Sequence, residues 1–294
     1  MPHSNKIFAN KVFDRQLVAK RRVQALAREN YPDFLDELIG QELVSRLDLI
    51  ERQFENCVIL GQPANRFLQE IRRSPKLHNI IAQRSGPGGR SELVYDSEWL
   101  PFKDNSLDCI IAPPGLELVN DLPGTLIQIN RALKPDGLFL GAMYGGLTLV
   151  ELRHAWLLAD EETSGGASPR VAPFIDVRQA GNLLQRAGLA LPVADADVLT
   201  IRYDNVKALM TEIKNMGFAN GLVQRSGKFI SRGLLELVDF HYRKEFSDPD
   251  GRIRATLEIN YLTAWCPHDS QQKPLKPGSA RQHFSDVLSG TQEN

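Results

Sequence analysis

DLPGTLIQINRALKPDGLFLGAM, Asp121 to Met143, decides the fold class of this 294-residue chain. Asp121 to Leu133 reads as a helix. Lys134-Pro135-Asp136-Gly137 reads as a turn, and Leu138-Phe139-Leu140-Gly141-Ala142-Met143 follows at once as a short apolar strand. A helix returning through a tight turn into an apolar strand is the closing half of a βαβ unit.

The same texture extends in both directions. Upstream, Cys57-Val58-Ile59-Leu60 is an apolar strand ending at Gly61, and Arg66 to Arg73 is a helix. His78 to Gln83 is a second strand, Gly86-Pro87-Gly88-Gly89 a loop, Glu92 to Tyr95 a third short strand, and Leu107 to Ala112 a fourth. Downstream, Leu147 to Asp160 reads as a helix and Ser164-Gly165-Gly166 as a loop. Asp176 to Ala187 is a helix, with Asp176 as N-cap and Gly188 just past its end. Val193 to Tyr203 and Ala255 to Trp265 are rich in β-branched and aromatic residues and read as late strands. Asp204 to Met216 and Phe229 to Lys244 are helices between them. The alternation predicts an α/β fold with a mostly parallel, seven-stranded sheet and helices on both faces. Ligands in such sheets bind at the carboxyl ends of the strands, where strand order reverses. The loops after Leu60, Gln83, Tyr95, Ala112 and Met143 are therefore the places to seek chemistry.

Residues 11 to 54 read as helical, with Leu35, Leu38, Ile39, Leu43, Leu47 and Ile50 along one stripe and Pro32-Asp33 as break and cap. Three segments result: an N-terminal helical extension, 1–54; an α/β domain, 55–266; and a polar tail, 267–294. The formal net charge is −1, so no bulk field draws the chain to nucleic acid or anionic lipid. The clusters Lys20-Arg21-Arg22 and Arg72-Arg73 read as solvated helix faces. Cys57, Cys109 and Cys266 sit in apolar runs and read as buried, reduced thiols. The six histidines are scattered without ligand spacing, so no metal site is expected. No apolar stretch reaches bilayer length, and no transmembrane segment is expected. The N-terminus lacks the apolar core of a secretory signal, which suggests a bacterial cytoplasmic protein, or a matrix protein if the source is mitochondrial.

Two segments carry a resemblance. Glu98 to Asp108 looks like the acidic-loop and strand 4 region of class I S-adenosylmethionine-dependent methyltransferases, and Asn130 to Gly137 like their turn into strand 5. Narrower signals are Val12-Phe13-Asp14-Arg15, Gly141-Ala142-Met143-Tyr144-Gly145-Gly146 followed by Thr148-Leu149 and Glu151-Leu152-Arg153, and Lys276-Pro277-Gly278-Ser279-Ala280. Together they resemble the methyltransferase-fold assembly factors of respiratory complex I, a family implicated in hydroxylating an arginine of a complex I subunit. That family is similar to malonyl-carrier-protein methyltransferases. The resemblance implies S-adenosylmethionine as cofactor, held by Gly61, Gln83, Asp96, Ser97 and Pro113. It also implies a protein client, a complex I subunit. Asp14, Arg15, Tyr144 and Glu151 are the candidates on the substrate side.

The chain departs from that pattern at the cofactor loops. Ile59 stands where strand 1 would carry an acid, Pro63 and Asn65 where glycines would follow Gly61, and Gln83 where strand 2 would end in an acid. Proline fixes φ and cannot replace a glycine at positive φ. After strand 4, Glu117-Leu118 replaces a His-Trp pair common among relatives. Two functions follow: an enzyme working with a weakened cofactor loop, or a catalytically inactive pseudo-methyltransferase serving as an assembly scaffold.

Overall fold

Strands form where β-branched and apolar residues run together, and helices where apolar residues recur every three or four positions. The computed structural model describes residues 11–82, 95–227 and 229–272. Its elements are α1 (Arg15–Leu26), α2 (Phe34–Asp48), β1 (Phe54–Ile59), α3 (Asn65–Arg72), β2 (Leu77–Ala82), β3 (Leu107–Ala112), α4 (Leu122–Ala132), β4 (Leu133–Tyr144), α5 (Val150–Ser164), α6 (Val177–Arg186), β5 (Ala190–Tyr203), α7 (Val206–Asn215), α8 (Arg232–Phe246) and β6 (Ile253–Trp265). A single 3₁₀ turn, Leu116–Leu118, lies between β3 and α4.

The six strands lie in the order β2-β1-β3-β4-β6-β5. The first four pair in parallel, and β6 is antiparallel to both its neighbours. From β1 the chain steps out to β2, then returns to the far side of β1 to form β3. Strand order thus reverses between β1 and β3.

The period of two along each strand sorts side chains into two cores. On one face Cys57, Ile59, Cys109, Ile111 and Leu140 pack with Leu35, Ile39 and Leu43 of α2 and Phe67 of α3. On the other, Val58, Ile110 and Phe139 pack with Leu126 and Ile129 of α4 and Leu184 of α6. A third cluster joins Leu152 and Trp156 of α5, Leu209 of α7 and Tyr242 of α8 at the Ile253 end of β6. Truncating one such Leu or Ile to Ala typically costs about 2–5 kcal/mol. Helices therefore cover both faces of a mostly parallel sheet, as the sequence pattern implies.

The local details differ in several places. The described residues hold six strands, not seven, because residues 92–94 of the expected third strand lie outside them. Gln83, the loop 86–89 and the motif 276–280 also lie outside the described residues. The expected turn at residues 134–137 is a bulge inside β4: Leu107 pairs with Leu133, but Cys109 pairs with Leu138. Asp136 absorbs the extra length at φ +62. Asp33 precedes α2 without a side-chain capping bond. Ser231, not Phe229, begins the last helix, because its side chain accepts the Leu234 amide. Asp176 forms a full capping box with Gln179, as expected of the cap, and Gly188 has φ +80. All three cysteines are buried and free. No helix among the described residues is long and apolar enough to cross a membrane.

Candidate functional site

The turns after β1 and β3 flank the reversal point, and a cavity of about 460 Å³ opens there, within the size range of small-molecule sites. Gly61 has φ +70, and no heavy atom lies within 4 Å of where its β-carbon would stand. Gly115, in the same lining at φ +145, is equally open. Backbone at both positions is thus free of side-chain cover. Gly61 supplies the left-handed residue of its turn, whereas Pro63 is buried and Asn65 already opens α3. Neither Pro63 nor Asn65 has a positive φ, so the backbone does not use the freedom that glycine would add there. Ile59, where an acid was expected, is wholly buried in the apolar core beside α2. Gln62 offers what the strand lacks: its Oε1 is buried without a hydrogen-bond partner, inside the cavity lining.

Asp96, Ser97 and Pro113 line the same cavity. Asp96 Oδ1 accepts the Glu98 amide at 2.9 Å and pairs with Arg15. Arg15 also reaches Glu98 at 3.2 Å. Glu98 accepts the backbone amides of Asn120 and Asp121. Asn120 Oδ1 then takes the amides of Val12 at 2.9 Å and Phe13 at 2.8 Å. Asp14 caps α1 through the Leu17 amide at 3.1 Å and pairs with Arg225 at 3.2 Å. The Val12-Phe13-Asp14-Arg15 motif is therefore a clasp that draws α1 along the cavity, and Arg15 lines it. Trp99, by contrast, is 76% exposed and belongs to no core.

A second cavity of about 320 Å³ adjoins the first, and Val18, Leu118, Gly217 and Phe218 line both. Tyr144 stands in its wall, edge-on to Phe174 at 6.2 Å and Phe218 at 5.2 Å. Burial pushes its phenol well above the usual range. Glu151 is separate from both cavities. It accepts the Thr256 amide at 3.0 Å and the Thr256 hydroxyl, tying α5 to β6. Gly145, at the end of β4, leaves room for Glu258, whose carboxyl carbon lies 2.5 Å from where its β-carbon would be.

Two buried charged neighbourhoods lie outside the expected site residues. Arg22, expected on a solvated helix face, is only 8% exposed. Its Nε donates to the Gln62 carbonyl at 3.3 Å, Nη1 to the Met216 carbonyl at 2.9 Å and to Tyr31, and Nη2 to Asp36 at 3.2 Å. Burial opposes its charge, but Asp36, Tyr31 and Tyr144 outweigh burial and hold the guanidinium protonated. Burial pushes the Asp36 carboxyl up, while Arg22 and the Tyr31 hydroxyl pull it down. A helical position three residues before Ala25 gave no hint of this, because burial of arginine depends on partners far along the chain. The other is Glu117, whose only sequence signal was the replacement of a His-Trp pair. Glu117 is 7% exposed and sits in the 3₁₀ turn, where Leu118 lines both cavities and Glu117 itself lines neither. Its Oε2 accepts the Gly115 amide at 2.8 Å, while Oε1 has no hydrogen-bond partner. Burial pushes its carboxyl up to about 7, against the pull of nearby backbone amides and Arg22.

A protein-family profile described as a methyltransferase domain matches residues 70–141. The mitochondrial arginine-hydroxylase NDUFAF5 of Danio rerio is 32% identical over 287 residues, covering 94% of this chain and 89% of that one. A malonyl-[acyl-carrier protein] O-methyltransferase of Halorhodospira halophila is 31% identical over 281 residues, covering 91% and 93%. Among solved structures, the YcgJ protein of Bacillus subtilis superposes with a TM-score of 0.50 at 15% identity, covering 77% of this chain and 99% of that one. That superposition speaks to the fold alone.

Proposed function

The chain belongs to the family of the mitochondrial arginine-hydroxylase NDUFAF5 proteins, and from that premise we propose that it binds S-adenosylmethionine between β1 and β3 and acts on an arginine of a protein client during assembly of respiratory complex I. The relatives' name says arginine hydroxylase of those proteins, and the arginine comes to this chain from there. The observation that carries the cofactor assignment is the cavity at the strand reversal. There two open-backed glycines, Gly61 and Gly115, share the lining with Gln62, whose buried Oε1 has no hydrogen-bond partner.

The lining chemistry suits an adenosyl ligand. Gly61 and Gly115 let backbone approach it closely, Gln62 supplies a neutral acceptor, and Asp96 supplies a charged one. Gln83 stands outside the described residues, and its contribution to a ribose is part of the proposal. A bound S-adenosylmethionine supplies an activated methyl group on sulfonium. The protein's own work is placement: α1 walls the cavity, the Arg15 clasp presents Asp96, and Arg22 fixes the Gln62 carbonyl. With a neutral residue at Ile59 and Gln83, affinity is set lower than in sites holding two acids there. The same reading places the protein in the bacterial cytoplasm or the mitochondrial matrix.

Calorimetry with S-adenosylmethionine and S-adenosylhomocysteine tests this. Saturable binding in the micromolar range supports a cofactor site. No heat at millimolar ligand, with complex I subunits still recovered on the chain from its native host, leaves the inactive scaffold.

A further inference from the structure

We propose that Arg21 anchors a small organic carboxylate whose apolar body fills the second cavity. This goes beyond the function proposed above and requires neither the cofactor nor the client named there.

The observation is an arginine in a cavity wall whose carboxylate-binding edge is unused. Arg21 lines the second cavity from α1, and it is partly exposed. Its Nη1 donates to the carbonyls of Ala219, at 3.1 Å, and Asn220, which fixes the side chain against the segment between α7 and α8. Among the described residues its Nε and Nη2 make no hydrogen bond, and it forms no ion pair. Those two nitrogens form the side of a guanidinium that grips a carboxylate through two parallel hydrogen bonds. Arg170, in the same wall, shows that edge filled. Its Nε reaches Asp160 Oδ2 at 3.0 Å and its Nη2 reaches Oδ1 at 2.6 Å.

The local charges leave the same vacancy for an anion. Arg225 also lines the cavity, and Asp14 is the acid that acts on Arg21 from nearby. Asp14 gives one oxygen to the Leu17 amide and the other to Arg225. Two guanidiniums thus share one carboxylate, and one positive charge is left over. Burial and Arg225 hold the Arg21 pKa below the ordinary arginine value, against the pull of Asp14. Glu212 lines the cavity as well, where it accepts the Tyr203 hydroxyl at 2.8 Å, but it is not among the charges acting on Arg21. A single surplus charge matches a carboxylate better than a phosphate monoester, which carries about 1.5 to 2 negative charges. Trp156, Phe174 and Phe218 give the cavity an aromatic wall for the ligand's body, and about 320 Å³ is room for a small molecule. Val18, three residues before Arg21, lines both cavities, so the anchor stands one helical turn from the partition.

Calorimetry on the full chain tests this, with hydrocinnamate as the probe and hydrocinnamamide as its neutral isostere. The wild type is expected to bind hydrocinnamate saturably and the amide at least about tenfold more weakly. Arg21→Met is expected to weaken hydrocinnamate by at least about tenfold and to leave the amide unchanged. Arg21→Lys keeps the charge but loses the two-donor edge, and is expected to bind hydrocinnamate more weakly than the wild type. Ala172→Trp fills the cavity from a partly exposed position and is expected to abolish binding. No saturation at millimolar hydrocinnamate, equal affinity for acid and amide, or wild-type affinity in Ala172→Trp overturns the proposal. So does wild-type affinity in Arg21→Met; where that variant fails to fold, wild-type affinity in Arg21→Lys overturns it instead. Tighter binding of hydrocinnamyl phosphate than of hydrocinnamate would overturn the carboxylate assignment. Displacement of hydrocinnamate by S-adenosylhomocysteine would place it in the larger cavity and overturn the site. Failure of S-adenosylhomocysteine to bind at all, with the Arg21 effects intact, overturns the cofactor reading alone.

Discussion

Arg22→Met removes the cation from a cluster in which it meets Asp36, Tyr31 and the carbonyls of Gln62 and Met216. Asp36 then stays buried, 7% exposed, with only the Tyr31 hydroxyl at 2.6 Å to satisfy it. Breaking a buried pair by removing one partner costs about 3–5 kcal/mol, since the surviving charge is left uncompensated. Protonation of Asp36, which burial already favours, caps the loss at that range. Removing both charges is different. Arg22→Met combined with Asp36→Leu leaves apolar groups of similar size, and is expected to lie within about 1–2 kcal/mol of the wild type. With a similar loss for Asp36→Leu alone, the interaction energy from the double-mutant cycle is then at least about 4 kcal/mol. Equilibrium unfolding in urea at pH 7 of the four proteins measures it. The single variant should also weaken S-adenosylhomocysteine binding, because the Gln62 carbonyl loses its tether. A loss under about 1 kcal/mol for Arg22→Met, or additive single effects, would refute the cluster's role.

Three further outcomes are expected. Glu117 has a folded pKa of about 7 against an ordinary 4.5, so the folded state binds its proton more tightly than the unfolded chain does. The stability it contributes is therefore full below about pH 4.5 and is lost as pH rises through about 7; relative to Glu117→Gln, the wild type should lose about 2.5 kcal/mol between pH 5 and pH 8 in urea titrations, and parallel profiles would discard the buried acid. Ile59→Asp places a carboxylate in the core against Ile39 and Leu43 and should destabilise the fold by more than about 3 kcal/mol instead of improving cofactor affinity, as read by thermal unfolding together with ligand titration. Asp176→Ala deletes the capping box of α6 and should cost about 1 kcal/mol, and an unchanged unfolding midpoint would mean that this cap carries no stability.

The alternation of short apolar strands and helices was legible because a buried parallel strand leaves no choice of residue. Ile110 and Ile111 face opposite cores, and both must be apolar. The cap at Asp176 was legible for a similar reason: its chemistry is local, completed three residues on. The site was legible only in part. Gly61 announced itself because a left-handed turn after a strand requires it. Pro63 and Asn65 carry no positive φ, so this turn places only Gly61 in the left-handed region. Asp14 and Arg15 stood out as a motif, but their partners Arg225 and Asp96 lie far along the chain. Arg22 and Glu117 were hidden for the same reason. Burial of a charged residue is decided by which segments close over it, and no local pattern records that.

The clasp at Val12–Arg15 has one more consequence. Asp96 lines the cavity and is simultaneously the anchor of α1 through Arg15. Filling the pocket and seating the helix are thus a single thermodynamic linkage: a force that peels the leading residues from Asn120 changes occupancy without touching the guest. A docking partner that grips this stretch would set how long a ligand resides beneath it.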